Sequence, residues 1–340
     1  MIRVEQFTGS AEVWDTFAAA QRGYTIFHRL RWRSVIERTF GHECVYLAAR
    51  DAEGELVGVL PLVRVRSIVF GHYLVSMPFL NYGGPLGTDV GIRALVDEAT
   101  ELARRERVKL LEMRSSIPLP IALPASHRKI TVLLDLPGTP EALLNRFAAK
   151  LRSQIRRPQK QGVTVAFGRA QVEPFYAVFS RHMRDLGTPT QSLTFFREIA
   201  NEFPDDCWFA TAYLAGCPVA GGCGFRCGDE FEMTWASSLR EYNRESPNML
   251  LYWAFMERAI GEGLSRFNFG RCTPGTGTHR FKMQWGGREQ PLWWYGLAAS
   301  SEANTPSPND AAFRWGPRIW RRLPAWMATA FGPSIVRYIP

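Results

Sequence analysis

The chain has no run of the ~18 uncharged apolar residues that a helix needs to cross a bilayer, so no spanning helix is expected. Its opening stretch lacks the apolar core of a secretory leader and carries Glu5, Glu12 and Asp15. The expected location is therefore the cytoplasm. Cysteine is sparse, with six residues and no CxxC pair. Cys223 and Cys227 stand four apart without a second pair or a histidine at zinc spacing, so reduced, mostly buried thiols are expected rather than a metal site. The six histidines are scattered. No GxxxxGK[ST], HExxH, GxSxG or GxGxxG occurs in the right context, which removes the commonest nucleotide, zinc-protease and hydrolase readings. The [QR]xxGx[GA] loop that holds a pyrophosphate in acetyl-CoA enzymes is missing too. The nearest string, Gln159 to Thr164, ends in Thr and precedes a strand.

What is present is a chain of 340 residues, 46% hydrophobic and 21% charged, which is ordinary for a folded protein but long for a single core. Lys and Arg outnumber Asp and Glu 41 to 32, a net charge of +9 that suits an anionic partner without choosing one. The pattern of elements runs twice. Helices at 11–20 and 27–39 lead into a hairpin, CVYLAARD and ELVGVLPLVRVRS, and a strand at 73–82 that ends at Gly83-Gly84. An amphipathic helix and the strands KLLEMRSS and ITVLLDL follow. The second half opens with a basic helix from Pro140, continues through two helices and a three-strand meander, and closes with the helix NMLLYWAFMERAIGEGL and the strands SRFNFG and PLWWYGLA. The expected class is α/β (α+β), two tandem units with mixed, mostly antiparallel sheets. The expected divisions are 1–150, 151–311 and a basic aromatic tail at 312–340.

Three clusters are candidates for chemistry. In the first, a strand ends at Phe269, a Gly/Thr-rich loop follows, and Lys282 stands between Phe281 and Trp285. A lysine fixed against aromatic surface can stabilise an oxyanion; the plainer reading is a surface lysine whose stem packs on rings. Arg271 lies in the same loop. In the second, Asn81, Tyr82 and Gly83 close a polar-aromatic strand, where paired glycines would admit a ligand to the backbone or simply make a tight turn. In the third, Arg152, Arg156 and Lys160 share one helix face, suited to phosphate or to plain solvation.

WRSVIERTFGH, LVSMPFLNYGG, LRSQIRR, HMRDLGTP, PNMLLYW and FNFGRCTPGTGTHRFKMQWGG resemble the FemAB-like proteins of exosortase/PEP-CTERM gene clusters, over roughly residues 25–340. The resemblance implies two tandem acetyltransferase-like (GNAT) units. It also implies transfer of an amino acid from aminoacyl-tRNA to an amine of a cell-envelope or exopolysaccharide-related acceptor, with no cofactor. It assigns amide-bond chemistry to the Phe281-Lys282 pair. It places Trp32 at the acceptor site, although the phosphate-binding lysine of that helix is replaced by Ile36, leaving Arg29, Arg31 and Arg33 as the candidate substitutes. Two other readings stand beside it: an N-acyltransferase using acyl-CoA or an acyl carrier protein, and a non-catalytic glycan- or nucleic-acid-binding module. Asp185, Glu232 and Glu257 are candidate proton acceptors. The tail mixes Arg314, Arg318, Arg321, Arg322 and Arg337 with Phe313, Trp315, Trp320, Trp326, Phe331 and Tyr338. Contact with the inner-membrane surface is one expected role, and packing onto the second unit is the other.

Overall fold

A computed structural model describes residues 2–67, 71–298 and 316–339. The tail residues Phe313, Arg314 and Trp315 lie outside the described set. The chain divides into two compact units, each built from separated stretches of sequence.

Unit 1 begins with β1 (Arg3–Gln6), α1 (Ala11–Ala19), α2 (Trp32–Phe40), β2 (Glu43–Arg50), β3 (Leu56–Ser67), β4 (Gly71–Ser76), β5 (Leu86–Gly87), α3 (Asp89–Arg105), β6 (Leu110–Ser115) and β7 (Ala125–Ser126). The helix α3 shows why these segments fold as they do. Thr88 caps it, its Oγ1 accepting from Gly91 N at 3.1 Å, and Arg104 and Arg105 stand at the negative end of its dipole. Ile92, Leu95, Val96, Ala99, Leu102 and Ala103 form one apolar stripe. That stripe packs on Leu47, Leu60, Leu62, Leu74 and Leu111 of the sheet.

Unit 2 contains β8 (Ile130–Asp135), α4 (Pro140–Arg146), α5 (Ala149–Lys160), β9 (Thr164–Phe167), α6 (Val172–Leu186), α7 (Leu193–Glu202), β10 (Cys207–Leu214), β11 (Cys217–Cys227), β12 (Glu230–Ser238), α8 (Pro247–Gly261), β13 (Arg266–Cys272), α9 (Gly277–Met283) and β14 (Arg288–Pro291). Its strand order is β14-β8-β13-β12-β11-β10-β9. The buried residues of α5 and α8 share one core with Phe231, Phe267, Phe269 and Trp285.

After β14 the chain returns to unit 1 as β15 (Trp293–Ala298), which lies between β6 and β7 in the order β1-β2-β3-β4-β6-β15-β7. Two helices follow, α10 (Gly316–Trp320) and α11 (Ala325–Val336). Both sheets are mainly antiparallel, and each contains a parallel pair, β4 with β6 and β12 with β13. The mixed, mainly antiparallel class is as expected, but the partition of the chain is not. ITVLLDL becomes β8 of unit 2 rather than part of a unit spanning 1–150, and PLWWYGLA completes the sheet of unit 1. The segment from 316 to Pro333 belongs to unit 2 and does not stand as a separate tail. Two local expectations also change. The strand at 73–82 stops at Ser76, because Met77 and Phe79 take left-handed backbone angles that no strand tolerates. The loop before Lys282 turns into α9, capped by Thr276, whose Oγ1 accepts from His279 N at 3.3 Å.

Candidate functional site

The parallel pair of unit 2 is matched only at Glu230 with Arg266, Phe231 with Phe267 and Glu232 with Asn268. Both strands run on, β12 to Ser238 and β13 to Cys272, but they no longer pair. Backbone groups on the facing edges of diverging strands are open to an extended ligand, since a buried N–H or C=O needs a partner. On the unpaired part of β12 the buried Thr234 Oγ1 has no hydrogen-bond partner.

The end of β13 is shaped by Gly270, at φ 71°. Its N–H donates to Asn268 Oδ1 at 2.8 Å; that oxygen also accepts from Thr131 Oγ1, while Asn268 Nδ2 donates to Glu230 Oε1 at 2.9 Å. Successive carbonyls alternate direction in an extended strand. The left-handed glycine breaks the alternation, and two consecutive carbonyls converge on one ammonium. Lys282 Nζ, on α9, donates to Gly270 O at 2.6 Å and to Arg271 O at 3.0 Å.

Lys282 is 4% exposed. Burial, which disfavours the charged form, lowers its pKa to about 8, against the upward pull of negative charge at Cys272 and Glu232. An ammonium has three N–H groups, so two carbonyls leave one unspent. Lys282 is thus a buried, oriented cation and not the surface lysine of the plainer reading. Trp285 is not a wall for substrate: it is 1% exposed and packs on Phe147, Tyr252, Phe269 and Phe281. Phe281 is half-buried, edge-on to Tyr252 at 5.0 Å. Arg271 is half-buried, and its carbonyl is one of the two holding Lys282. Among the candidate bases, Asp185 accepts from Arg184 Nε at 2.7 Å, Glu257 is pushed up by burial, and Glu232 is buried within electrostatic reach of Lys282.

On α5, Leu151, Ile155 and Pro158 face the core. Arg152, Arg156, Arg157 and Lys160 line a groove of about 500 Å³ with Ala149, Ser153 and Gln161, and no carboxylate lines it. Arg152 is anchored, donating to Phe147 O at 2.7 Å.

The expected sites in unit 1 take a different form. Trp32 is fully buried, its Nε1 donating to Ile26 O at 3.0 Å, so it is a core residue rather than a ligand platform. Arg33 is paired to Glu37 at 3.1 Å. The parallel pair β4 and β6 also ends after three matched positions, at Val75 with Glu112. Here the chain's own loop 77–84 fills the gap. Gly83 N donates to Arg114 O at 3.0 Å, Arg114 N to Ser76 Oγ at 2.8 Å, and Arg114 Nη1 to Leu80 O at 3.2 Å. Arg114 is paired with the buried Glu112 at 2.7 Å. Asn81 and Tyr82 are buried, and a Cβ on Gly83 would stand 2.3 Å from Met77 Cγ. Gly83 therefore admits Met77 to the backbone and Gly84 admits the Arg114 carbonyl, rather than a ligand. Sequence reading missed Arg114, and it gave Asn268 and Gly270, which stand in the first cluster, no role of their own. A glycine inside the strand SRFNFGRC was the available sign for Gly270.

These features define a tandem GNAT fold, and residues 145–283 match the acetyltransferase (GNAT) domain family. The chain is similar in structure to FemX, with a TM-score of 0.66 at 15% identity over 86% of this chain and 97% of that one. It is also similar to L-PGS from Bacillus licheniformis, at 0.57 and 12% identity over 92% and 98%, respectively. A tandem GNAT protein of the clavulanic acid biosynthesis pathway aligns at 0.55 and 13% identity over 90% of this chain and all of that one. No curated protein matches by sequence. The domain match and the fold together support an acyltransferase.

Proposed function

We propose that the protein transfers an aminoacyl group from aminoacyl-tRNA to an amine on a cell-envelope or exopolysaccharide-related acceptor. One observation carries this reading: a buried ammonium, fixed by two carbonyls, stands where the strands of unit 2 stop pairing. The similarity to FemX and to L-PGS from Bacillus licheniformis supports an aminoacyl donor and an envelope acceptor. The groove on α5, cationic and free of carboxylates, suits the phosphates of the donor RNA.

In the reaction the neutral acceptor amine attacks the donor's ester carbonyl. A C–N bond forms, the C–O bond to the ribose breaks, the amine gives up a proton and the ribose oxygen takes one. The third N–H of Lys282 is assigned to the carbonyl oxygen as it becomes negative. A preorganised donor of this kind is worth about 3–4 kcal/mol in the transition state. Its two carbonyl partners keep it aimed, so no reorganisation is needed as charge develops. Glu232, held near that cation, is the base assigned to the amine proton.

The test offers the purified protein charged tRNA and acyl-CoA in parallel binding titrations, followed by transfer assays with envelope extract. Salt-sensitive binding of charged tRNA and transfer of its amino acid are expected. Tight acyl-CoA binding that is indifferent to tRNA would replace this reading with N-acyl transfer, for which the acetyltransferase-family match is the specific support.

A further inference from the structure

The described part of the C-terminal segment joins three observations that the acyl-transfer reading leaves unused. First, α11 has the sequence AWMATAFGPSIV and carries no charged residue. A helix apolar all round belongs in a core or against lipid. Only Ala328 and Gly332 of α11 are buried, with the Gly332 Cα edge against the backbone of Thr190. Helical geometry then puts Trp326 and Ala330 on the opposite side and Phe331 on the flank. Trp326 is 70% exposed and Phe331 54%, and Ile319 on α10 is 61% exposed. Three of the six large exposed hydrophobics among the described residues therefore fall within thirteen positions.

Second, the charge carried by this segment itself has one sign. Arg318 and Arg322 are exposed, and Arg321 donates to Leu186 O at 3.1 Å. No Asp or Glu occurs after Asp310. Third, α11 is short, and among the described residues no helix is long and apolar enough to cross a membrane. Exposed aromatics with exposed arginines on the same segment, on helices too short to span, fit the interface of an anionic bilayer. There the rings sit at the headgroup level and the cations meet lipid phosphate. The basic groove of α5 differs in kind: the side chains that line it are mainly polar and cationic, with no large apolar group exposed there.

We propose that α10 and α11 form a peripheral membrane-binding surface that docks on anionic lipid through Trp326, Phe331 and Ile319, with Arg318 and Arg322 selecting the negative surface. The test is flotation of the full chain with phosphatidylglycerol-containing vesicles and with pure phosphatidylcholine vesicles, at low and high salt. The wild type should float with the anionic vesicles and remain behind with the neutral ones. Trp326→Ser/Phe331→Ser should reduce the bound fraction at least tenfold. Arg318→Glu/Arg322→Glu should abolish the preference for anionic lipid, each arginine being worth about fivefold at such a surface. All four positions are exposed, and matching thermal melts would show that the variants are folded. The proposal fails if the wild type stays in the aqueous fraction with both vesicles, or if the Ser variant floats as well as the wild type. Self-association without flotation, lost in the Ser variant, would assign the patch to a second copy of the chain. The charged-tRNA titration is unaffected by any of these outcomes, so this proposal and the transfer reading fail separately.

Discussion

Replacing Lys282 by Met keeps the stem that fills the core beside Trp285 and removes only the ammonium. In the folded chain the ammonium has a pKa of about 8, against 10.5 for an ordinary lysine, and burial is the main cause. That gap corresponds to about 3 kcal/mol by which the fold disfavours the charged form relative to the neutral one. The sign follows from proton counting. Between pH 8 and 10.5 the unfolded chain holds the proton and the folded chain does not, so stability should rise with pH through this window. The rise is fully present above the unfolded value and lost as pH falls through about 8. Subtracting the Lys282→Met curve cancels the other titrating groups, so the wild-type-minus-variant difference in urea unfolding free energy should grow by about 3 kcal/mol from pH 7 to pH 10.5. At neutral pH the variant should not collapse. It loses two charge-assisted hydrogen bonds of about 1.5–3 kcal/mol each but escapes the burial of a charge. Turnover separates the roles. If Lys282 meets the oxyanion, the folded variant should be slower by about a hundredfold or more, and the wild-type rate should fall as pH rises past about 8 and the ammonium discharges. Parallel stability curves would refute the buried-charge argument, and near-normal turnover by a folded variant would refute the catalytic placement.

Three further outcomes are expected. His28 is buried against Thr25 and Gly84 O, and burial lowers its pKa to about 4; its stabilising share is present above pH 6.5 and lost as pH falls toward 4. Melting temperatures from pH 7 to 4 should drop less steeply in His28→Gln than in the wild type. Gly83→Ala places a Cβ at 2.3 Å from Met77 Cγ at φ 152° and should destabilise by about 2 kcal/mol or more, read by denaturant unfolding. Arg156→Ala/Arg157→Ala/Lys160→Ala should flatten the log–log salt dependence of tRNA binding by about 2–3, one counterion released per lost phosphate contact.

Much of unit 2 was legible because its signals are local. The helix α8 announces itself by a Pro at its start and a Gly just past its end, and the meander β10–β12 by its turn residues. The strand exchange was not legible. ITVLLDL and PLWWYGLA are both apolar runs, and nothing within either specifies whether its edge meets β13 or β6. Aromatic residues misled in a consistent way. Trp32 and Trp285 looked like platforms for a ligand, yet both fill cores, because a large ring contributes most where it is wholly removed from water. Lys282 stood out in the sequence between two aromatic residues, but its burial depends on a carbonyl turned by Gly270, twelve positions earlier. A sequence pattern does not encode that geometry.

The position of β15 has a consequence for how the chain comes off the ribosome. It is an interior strand of the first sheet, hydrogen-bonded on one side to β6 from Trp293–Ser115 to Ala298–Leu110 and on the other to β7. During synthesis, β6 is made almost two hundred residues before its partner. Until then it presents an open edge of buried-type side chains, Leu110 to Ser115, to whatever strand is at hand. The sheet of the second unit, whose strands β8 to β14 follow one another in the sequence, can close first. Of the two sheets, that of the N-terminal unit therefore closes last. A gene fragment cut near residue 150 would yield an unpaired sheet that aggregates, while adding the peptide 291–298 in trans should restore its missing strand.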